Sequence, residues 1–129
     1  MISPAAQRYG LSGARLLLLI LAAWQWGGAA WIFSKAQLAQ WLLTDAWATT
    51  LESRHTQIKP WPWADTWPVA RLQVPRQDVD LYILAGAQGN SLAFGPGHMH
   101  GTALPGEGFS VIGGHRDTHF GFLRNLVAG

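Results

Sequence analysis

The chain has 129 residues, which is enough for one small domain, and 49% of them are hydrophobic while only 12% are charged. That charged share is about half the usual one and indicates a connection with a membrane. The net charge of +2 is small and the Lys and Arg residues are scattered, which excludes the basic patch of a nucleic-acid binder. With no cysteine, these residues hold no disulfide and no thiolate metal ligand.

The first predicted element is an apolar segment from Leu16 to Phe33, in which Gln25 is the single polar side chain among 18 residues. As an α-helix it would be about 27 Å long, close to the roughly 30 Å of a hydrocarbon core. Arg8 and Arg15 precede the segment, so the positive-inside rule places residues 1–15 in the cytoplasm and the following residues outside. We predict a transmembrane anchor over residues 16–33.

Two other interpretations of this segment stay open. In a cleaved signal peptide, Leu16 to Ala23 would form the apolar core and Gly28-Ala29-Ala30 would supply the small residues of a cleavage site. The apolar segment continues through Trp31-Ile32-Phe33, which a signal peptide does not need, and this favours the uncleaved anchor. A buried helix of a soluble protein is the third interpretation, although 18 apolar residues exceed what a small core usually surrounds.

Residues 34–59 are predicted to continue as a helix and to form a stalk, because Leu38, Trp41 and Leu42 recur at helical spacing. Residues 60–68 are predicted to be an extended linker, since three prolines there exclude a helix. The tryptophans of this linker are predicted to clasp the domain that follows.

Beyond the linker, the hydrophobic period changes from helical to alternating. Residues 70–74 read Ala, Arg, Leu, Gln, Val, which is the pattern of a half-buried strand. The elements predicted after it are a strand over Val79–Ala85, a turn that begins at Ser91, a strand over Phe109–Gly113 and a helix over His119–Val127. Gly95-Pro96-Gly97 is predicted to be a loop. Short strands separated by turns indicate a mainly β domain, a sandwich or barrel, over residues 69–129.

Four of the five histidines lie within 22 positions of one another: His98, His100, His115 and His119. Imidazole and carboxylate groups bind zinc, so one interpretation is a metal site that combines the His98–His100 pair with His115, Asp117 or His119. Their spacing matches no metal motif, and the sequence therefore predicts no metal and no cofactor. The glycines near residue 97 also lack the spacing of a phosphate-binding loop.

His115 is the candidate for proton transfer. It follows Gly113-Gly114 at a predicted strand end, which leaves open space in front of the ring, and histidine titrates near neutral pH. On these residues alone, a structural role for His115 stays equally open. The nearby hydroxyl side chains show no nucleophile elbow.

The segment from Trp61 to Val127 resembles the N-terminal half of a sortase, one of the cysteine transpeptidases of bacterial surfaces, and is most similar to the class described from Gram-negative bacteria. The matching pieces occur in the family's order: Ala70 to Pro75 (ARLQVP), Leu92 to His98 (LAFGPGH), Gly101 to Gly106 (GTALPG) and Gly114 to Phe120 (GHRDTHF).

This resemblance implies a sortase-type β-barrel with a Cys-His-Arg site, in which a thiolate attacks the Thr–Gly carbonyl of an LPXTG-like sorting signal. The acyl-enzyme is then passed to an amine or to water, and the histidine aligned with His115 acts as general acid and base. His115 is the one catalytic residue that can be carried over, because the family's cysteine and arginine lie on later strands. Arg116 directly follows His115 and is not the family's arginine. Asp117 and His98 are supporting candidates, Asp117 for shaping the turn or orienting His115 and His98 for structure.

The family's cysteine and arginine lie on later strands, so we expect a partial barrel, truncated before both residues and inactive alone. The expected partners are the sorting-signal peptide of a surface protein, the membrane, and a chain that supplies the missing strands, with no nucleic acid. We expect a single-pass protein of the inner (cytoplasmic) membrane with its domain on the periplasmic side. The alternatives are a non-catalytic peptide-binding or strand-complementing module and a His-dependent metal hydrolase.

Overall fold

A computed structural model describes residues 4–53 and 57–127, with side chains from Ser12 onward. The chain divides into two compact units, Met1–Gln37 and Leu38–Gly129. Parts of three predictions lie outside the described residues: residues 1–3 of the cytoplasmic segment, residues 54–56 of the stalk, and residues 128–129 of the β domain.

The first unit contains most of a long α-helix, α1, which runs over Pro4–Ser53. Within the described residues, α1 is the one helix long and apolar enough to cross a membrane, as judged by its length and composition. The apolar side chains of α1 within residues 12–37 are exposed, with Trp24 at 83% and Trp31 at 65%. The ammonium group of Lys35 lies 5.3 Å from the centre of the Trp31 ring, at the helical i,i+4 spacing.

The second unit is built on a small sheet of four strands in the order β1-β2-β3-β4. The strands are β1 (Pro68–Val74), β2 (Val79–Ala85), β3 (Gly97–His98) and β4 (Ile112–Gly113). β1 and β2 are antiparallel, β2 and β3 are parallel, and β3 and β4 are antiparallel. The sheet is therefore mixed, and it is open rather than closed into a barrel.

The β1–β2 hairpin turns through a short 3₁₀-helix over Pro75–Gln77 and through Asp78, whose φ of 53° is left-handed. On the hairpin surface, the Arg71 Nε donates a hydrogen bond of 2.7 Å to Asp80 Oδ1. This bond lowers the pKa of the Asp80 carboxyl below its ordinary value. The contact joins a side chain of β1 to one of β2. Because both side chains are exposed to solvent, it adds little stability.

The core of the second unit combines β2 with the last turns of α1. Ile83 and Leu84 of β2 and Leu43 of α1 are almost completely buried. The Trp47 ring lies 6.4 Å from the Tyr82 ring. The Gln40 side-chain amide donates a 2.9 Å hydrogen bond to the carbonyl oxygen of Phe94, directly after a 3₁₀-helix over Gly89–Ala93. Burial of these side chains supplies the main stabilising contribution for so small a sheet.

The segment predicted to be a linker packs on the sheet. The Thr66 hydroxyl donates a 2.8 Å hydrogen bond to the carbonyl oxygen of Ala85, and the Ala85 amide donates one of 2.8 Å to the carbonyl oxygen of Trp67. The Trp61 ring meets Phe94 edge-on, with 5.1 Å between the ring centres.

Three predicted elements differ from the structure. The strand predicted over Phe109–Gly113 is shorter, since β4 covers Ile112–Gly113 and Phe109 is 82% exposed. The helix predicted over His119–Val127 is instead a 3₁₀-helix over Gly121–Asn125. Short helical segments of this length are commonly 3₁₀-helices. The loop at Gly97 contains β3. The sheet fits a β fold, but α1 alone has 50 residues and outnumbers the strand residues, so the described residues do not show a mainly β chain.

Gly97→Ala should destabilise the second unit, because a Cβ at this position would lie 2.6 Å from the Ala87 Cα. We expect it to lower the free energy of unfolding by about 1–3 kcal/mol, the usual cost of overpacking. Urea unfolding in detergent micelles, followed by tryptophan fluorescence, measures this change. Gly121→Ala is the matched control, because its Cβ would meet no atom within 4 Å. Equal stability of the two variants would contradict the close approach at Gly97.

Candidate active site

The position of the histidine-rich segment depends on how closely β3 approaches β2. The Leu84 amide donates to the carbonyl oxygen of Pro96 at 2.8 Å, and the Gly86 amide donates to that of His98 at 3.0 Å. A side chain on Gly97 would collide with the backbone of Gly86 and Ala87, so glycine is required here. Because β4 pairs with β3, this contact also determines where the chain emerges after Gly113.

His98 is 9% exposed and lies at the centre of a small polar network. Its Nε2 is 2.9 Å from the carbonyl oxygen of Ala103, and because a carbonyl only accepts, Nε2 carries the proton and donates. The Thr102 Oγ1 is 3.0 Å from the same Nε2, donates to the carbonyl oxygen of Met99 at 2.9 Å, and accepts from the Val111 amide at 3.2 Å. We call His98, Met99, Thr102, Ala103 and Val111 the His98 network; it ties both ends of the loop between β3 and β4 together.

His115 lies two residues after the end of β4, and its side chain is exposed. Its carbonyl oxygen accepts hydrogen bonds from the amides of His119 at 3.0 Å and Phe120 at 3.2 Å. Its own amide donates to the Nδ1 of the His119 ring at 3.2 Å. The backbone of His115 is therefore held on both sides by the turn that follows it, while its imidazole stays open to solvent.

Gly114 lets this turn close. A Cβ on Gly114 would lie 2.8 Å from Phe120 Cε2 and 3.1 Å from His119 Nδ1, so both rings occupy the space where a side chain would be. The centres of the His115 and His119 rings are 5.3 Å apart, with 49° between their planes. The two imidazoles thus form one pair at the strand end.

The His119 ring is partly buried, and this desolvation, together with the nearby His115 ring, lowers the pKa of His119 below its ordinary value. A neutral His119 is the form that can accept at Nδ1, and its remaining proton then resides on Nε2. Because the pKa of His119 is lowered, its Nδ1 can accept the hydrogen bond from the His115 amide over a wider range of pH.

Asp117 forms ion pairs with arginine side chains. Its Oδ1 accepts from the Arg124 guanidinium on the 3₁₀-helix that follows, and the Arg116 Nε lies 3.3 Å from the same atom. All three side chains are well exposed. These contacts connect the turn to the next element.

The structure thus separates the residues predicted from sequence. His115 and His119 lie together, His98 belongs to its own buried network, and Asp117 pairs with arginines. Within residues 4–53 and 57–127, no three side chains of the His, Cys, Asp or Glu type converge in a way that could hold a metal ion. The sequence reasoning did not identify the bond from His115 to His119, although their spacing of four residues in a turn was the signal that could have indicated it.

Residues 72–129 match the family model of the sortase domain. This segment belongs to the sortase family. No curated protein and no solved structure matches the chain. The resemblance inferred from the sequence motifs is therefore confirmed at the level of the family, whose members are cysteine transpeptidases that act on sorting signals. The matched segment contains the His98 network, the histidine pair and the whole of β2 to β4.

Thr102→Val should weaken the His98 network, because valine has the shape of threonine but neither donates nor accepts. We expect the free energy of unfolding to fall by about 1 kcal/mol, the usual net contribution of a hydrogen bond, because the Val111 amide is partly buried and loses its acceptor. Hydrogen exchange of the Val111 amide, which loses its acceptor, should accelerate in the same variant. Thr118→Val is the control, since Thr118 is exposed; if both variants behave as wild type, the network does not hold the loop.

Proposed function

We propose that the second unit carries the histidine of a sortase-type cysteine transpeptidase, with His115 as its general acid and base. The observation that supports this most directly is the exposed imidazole of His115 at the end of β4, on a backbone held by the turn and within the matched segment. An exposed imidazole on a fixed backbone is what proton transfer to a bound peptide requires.

The chemistry needs a thiol that these 129 residues do not contain. A cysteine from outside them would approach the His115 ring, where an imidazolium stabilises the thiolate. The thiolate attacks the carbonyl carbon, the C–N bond breaks, and His115 protonates the leaving amine. In the second half, neutral His115 takes a proton from the incoming amine or water, which then cleaves the thioester and releases the thiolate.

The substrate we propose is an LPXTG-like sorting signal of a surface protein, and the class is the one described from Gram-negative bacteria. Both proposals depend on the motifs that carry the resemblance, above all Gly114 to Phe120. His98 would support this site by holding the loop that leads into β4, as its network indicates. Asp117 would support it by joining the turn to the 3₁₀-helix through Arg124.

Reconstitution with a second polypeptide tests the proposal. We expect the chain mixed with the cysteine-bearing C-terminal half of a sortase domain to convert an LPXTG-type peptide and hydroxylamine to the hydroxamate, and neither part to do so alone. His115→Ala should lower the rate by about 100-fold or more, the usual contribution of a general acid or base. Mass spectrometry of the product measures the rate.

His100→Ala is the matched control for this assay. His100 is also an exposed histidine close to β3, but it lies outside the turn that holds His115, so we expect its rate to equal that of wild type. Product formed equally well with His115→Ala would contradict the assigned role, and product formed by the chain alone would contradict the need for an external thiol.

We propose a second, non-catalytic function for the open sheet. Among the described residues, β4 pairs on one side alone, with β3, and β1 pairs with β2 alone. A strand of another chain can hydrogen-bond to such an edge. A stable complex with the sortase half in which His115→Ala changes nothing would favour this strand-complementing function over catalysis.

We propose that α1 anchors the chain in the inner membrane, with the second unit on the periplasmic side. The length and composition of α1 and the arginines that precede its apolar part support this orientation. Alkaline phosphatase fused after residue 127 should be active in a Gram-negative host, because it folds in the oxidising periplasm. The same reporter fused after residue 15 should be inactive, and the reverse pattern would contradict the orientation.

A further inference from the structure

We infer that His119 is a positioning residue for His115: its Nδ1, acting as an acceptor in the neutral ring, holds the backbone of His115 at the end of β4. The importance of that position rests on the proposed acid–base role of His115. The contact itself is independent of that function and can be measured without turnover.

The first support is the closed circuit of hydrogen bonds between the two residues. The His115 amide donates to the His119 ring, and the His119 amide donates back to the carbonyl oxygen of His115. Each residue therefore restrains the other, and both backbone groups of His115 are satisfied within the turn. A side chain with no acceptor at the Nδ1 position would leave the His115 amide without this partner.

The second support is the shape of the turn. Gly114 has no side chain, and the His119 and Phe120 rings lie where its Cβ would be. The His119 ring is thereby packed against the chain directly before His115, which leaves Nδ1 facing the amide. The ring is placed by this contact as well as by its hydrogen bond.

Protonation of His119 should disrupt this arrangement, because a ring with protons on both nitrogens cannot accept. The charged and titratable groups around it are the His115 ring, 5.3 Å away, and the exposed Arg116, Asp117 and Arg124. Asp117 is already paired with the two arginines, so no acidic side chain of this turn offsets a charge on His119.

The direction of the pH effect follows from the lowered pKa of His119. Because the unfolded turn binds the proton more readily than the folded one, the contribution of His119 to stability is fully present above the ordinary histidine pKa of about 6.5. It is lost as the pH falls through the lower value of the folded state. Acidification should therefore loosen the turn that carries His115.

Nuclear magnetic resonance of the full chain in detergent micelles tests the inference. The ¹⁵N shifts of the His119 ring at neutral pH should show Nδ1 without a proton and Nε2 with one. Exchange of the His115 amide with solvent, corrected for the intrinsic effect of pH, should rise by about 5-fold as His119 is protonated, the factor expected for one lost hydrogen bond.

Two variants separate the acceptor from the charge. His119→Asn places an amide oxygen near the position of Nδ1 and does not titrate, so exchange of the His115 amide should stay slow through the pH range in which wild type loosens. His119→Phe keeps an aromatic ring without an acceptor, so exchange should be about 5-fold faster at every pH.

A His119 ring protonated at Nδ1 at neutral pH would overturn the inference, as would equal exchange of the His115 amide in wild type, His119→Asn and His119→Phe. A different result would contradict the proposed function while leaving this inference intact. If the shifts and exchange rates come out as expected and the reconstituted pair still makes no hydroxamate, His119 positions His115 but the transpeptidase assignment is wrong.

Discussion

The close approach of β3 to β2 is the constraint on which the rest of the second unit depends. Gly97 lies against the backbone of Gly86 and Ala87, a distance that excludes any side chain. The parallel pairing there is only two residues long, yet β4 is added to the sheet through it. The point where the chain leaves the sheet, and with it the start of the turn that holds His115, therefore depends on this short pairing.

Two separate polar networks act on either side of β4. Before the strand, the buried His98 network closes the loop and brings Val111 beside Met99. After the strand, the turn from His115 to Phe120 folds back on Gly114. The first network uses the donor Nε2 of His98 and the second uses the acceptor Nδ1 of His119, while the His115 ring stays exposed to solvent beside the His119 ring. A rigid support under an exposed imidazole is the arrangement in which a general acid and base works without first having to be ordered.

The sequence predicted those parts of the fold that have regular hydrophobic periods. The span Val79–Ala85 matches β2 because apolar residues fill a strand between two turns. β3 was not predicted, because a strand of two residues is too short to show a hydrophobic period. It forms through its pairing with β2, which the local sequence does not reveal. At the site, the motif from Gly114 to Phe120 indicated the family and His115, but the hydrogen bond to His119 depends on a turn geometry that composition does not reveal.

The central proposal, that the His115 imidazolium stabilises the thiolate of a cysteine supplied from outside these residues, is tested most directly by the reactivity of that cysteine. In the complex with the cysteine-bearing half, the rate of alkylation by iodoacetamide should be measured from acidic to alkaline pH. With His115 present, we expect the cysteine to react as a thiolate below its ordinary pKa of about 8.5. With His115→Ala, the reaction should shift to higher pH. Identical profiles for the two complexes would contradict the account.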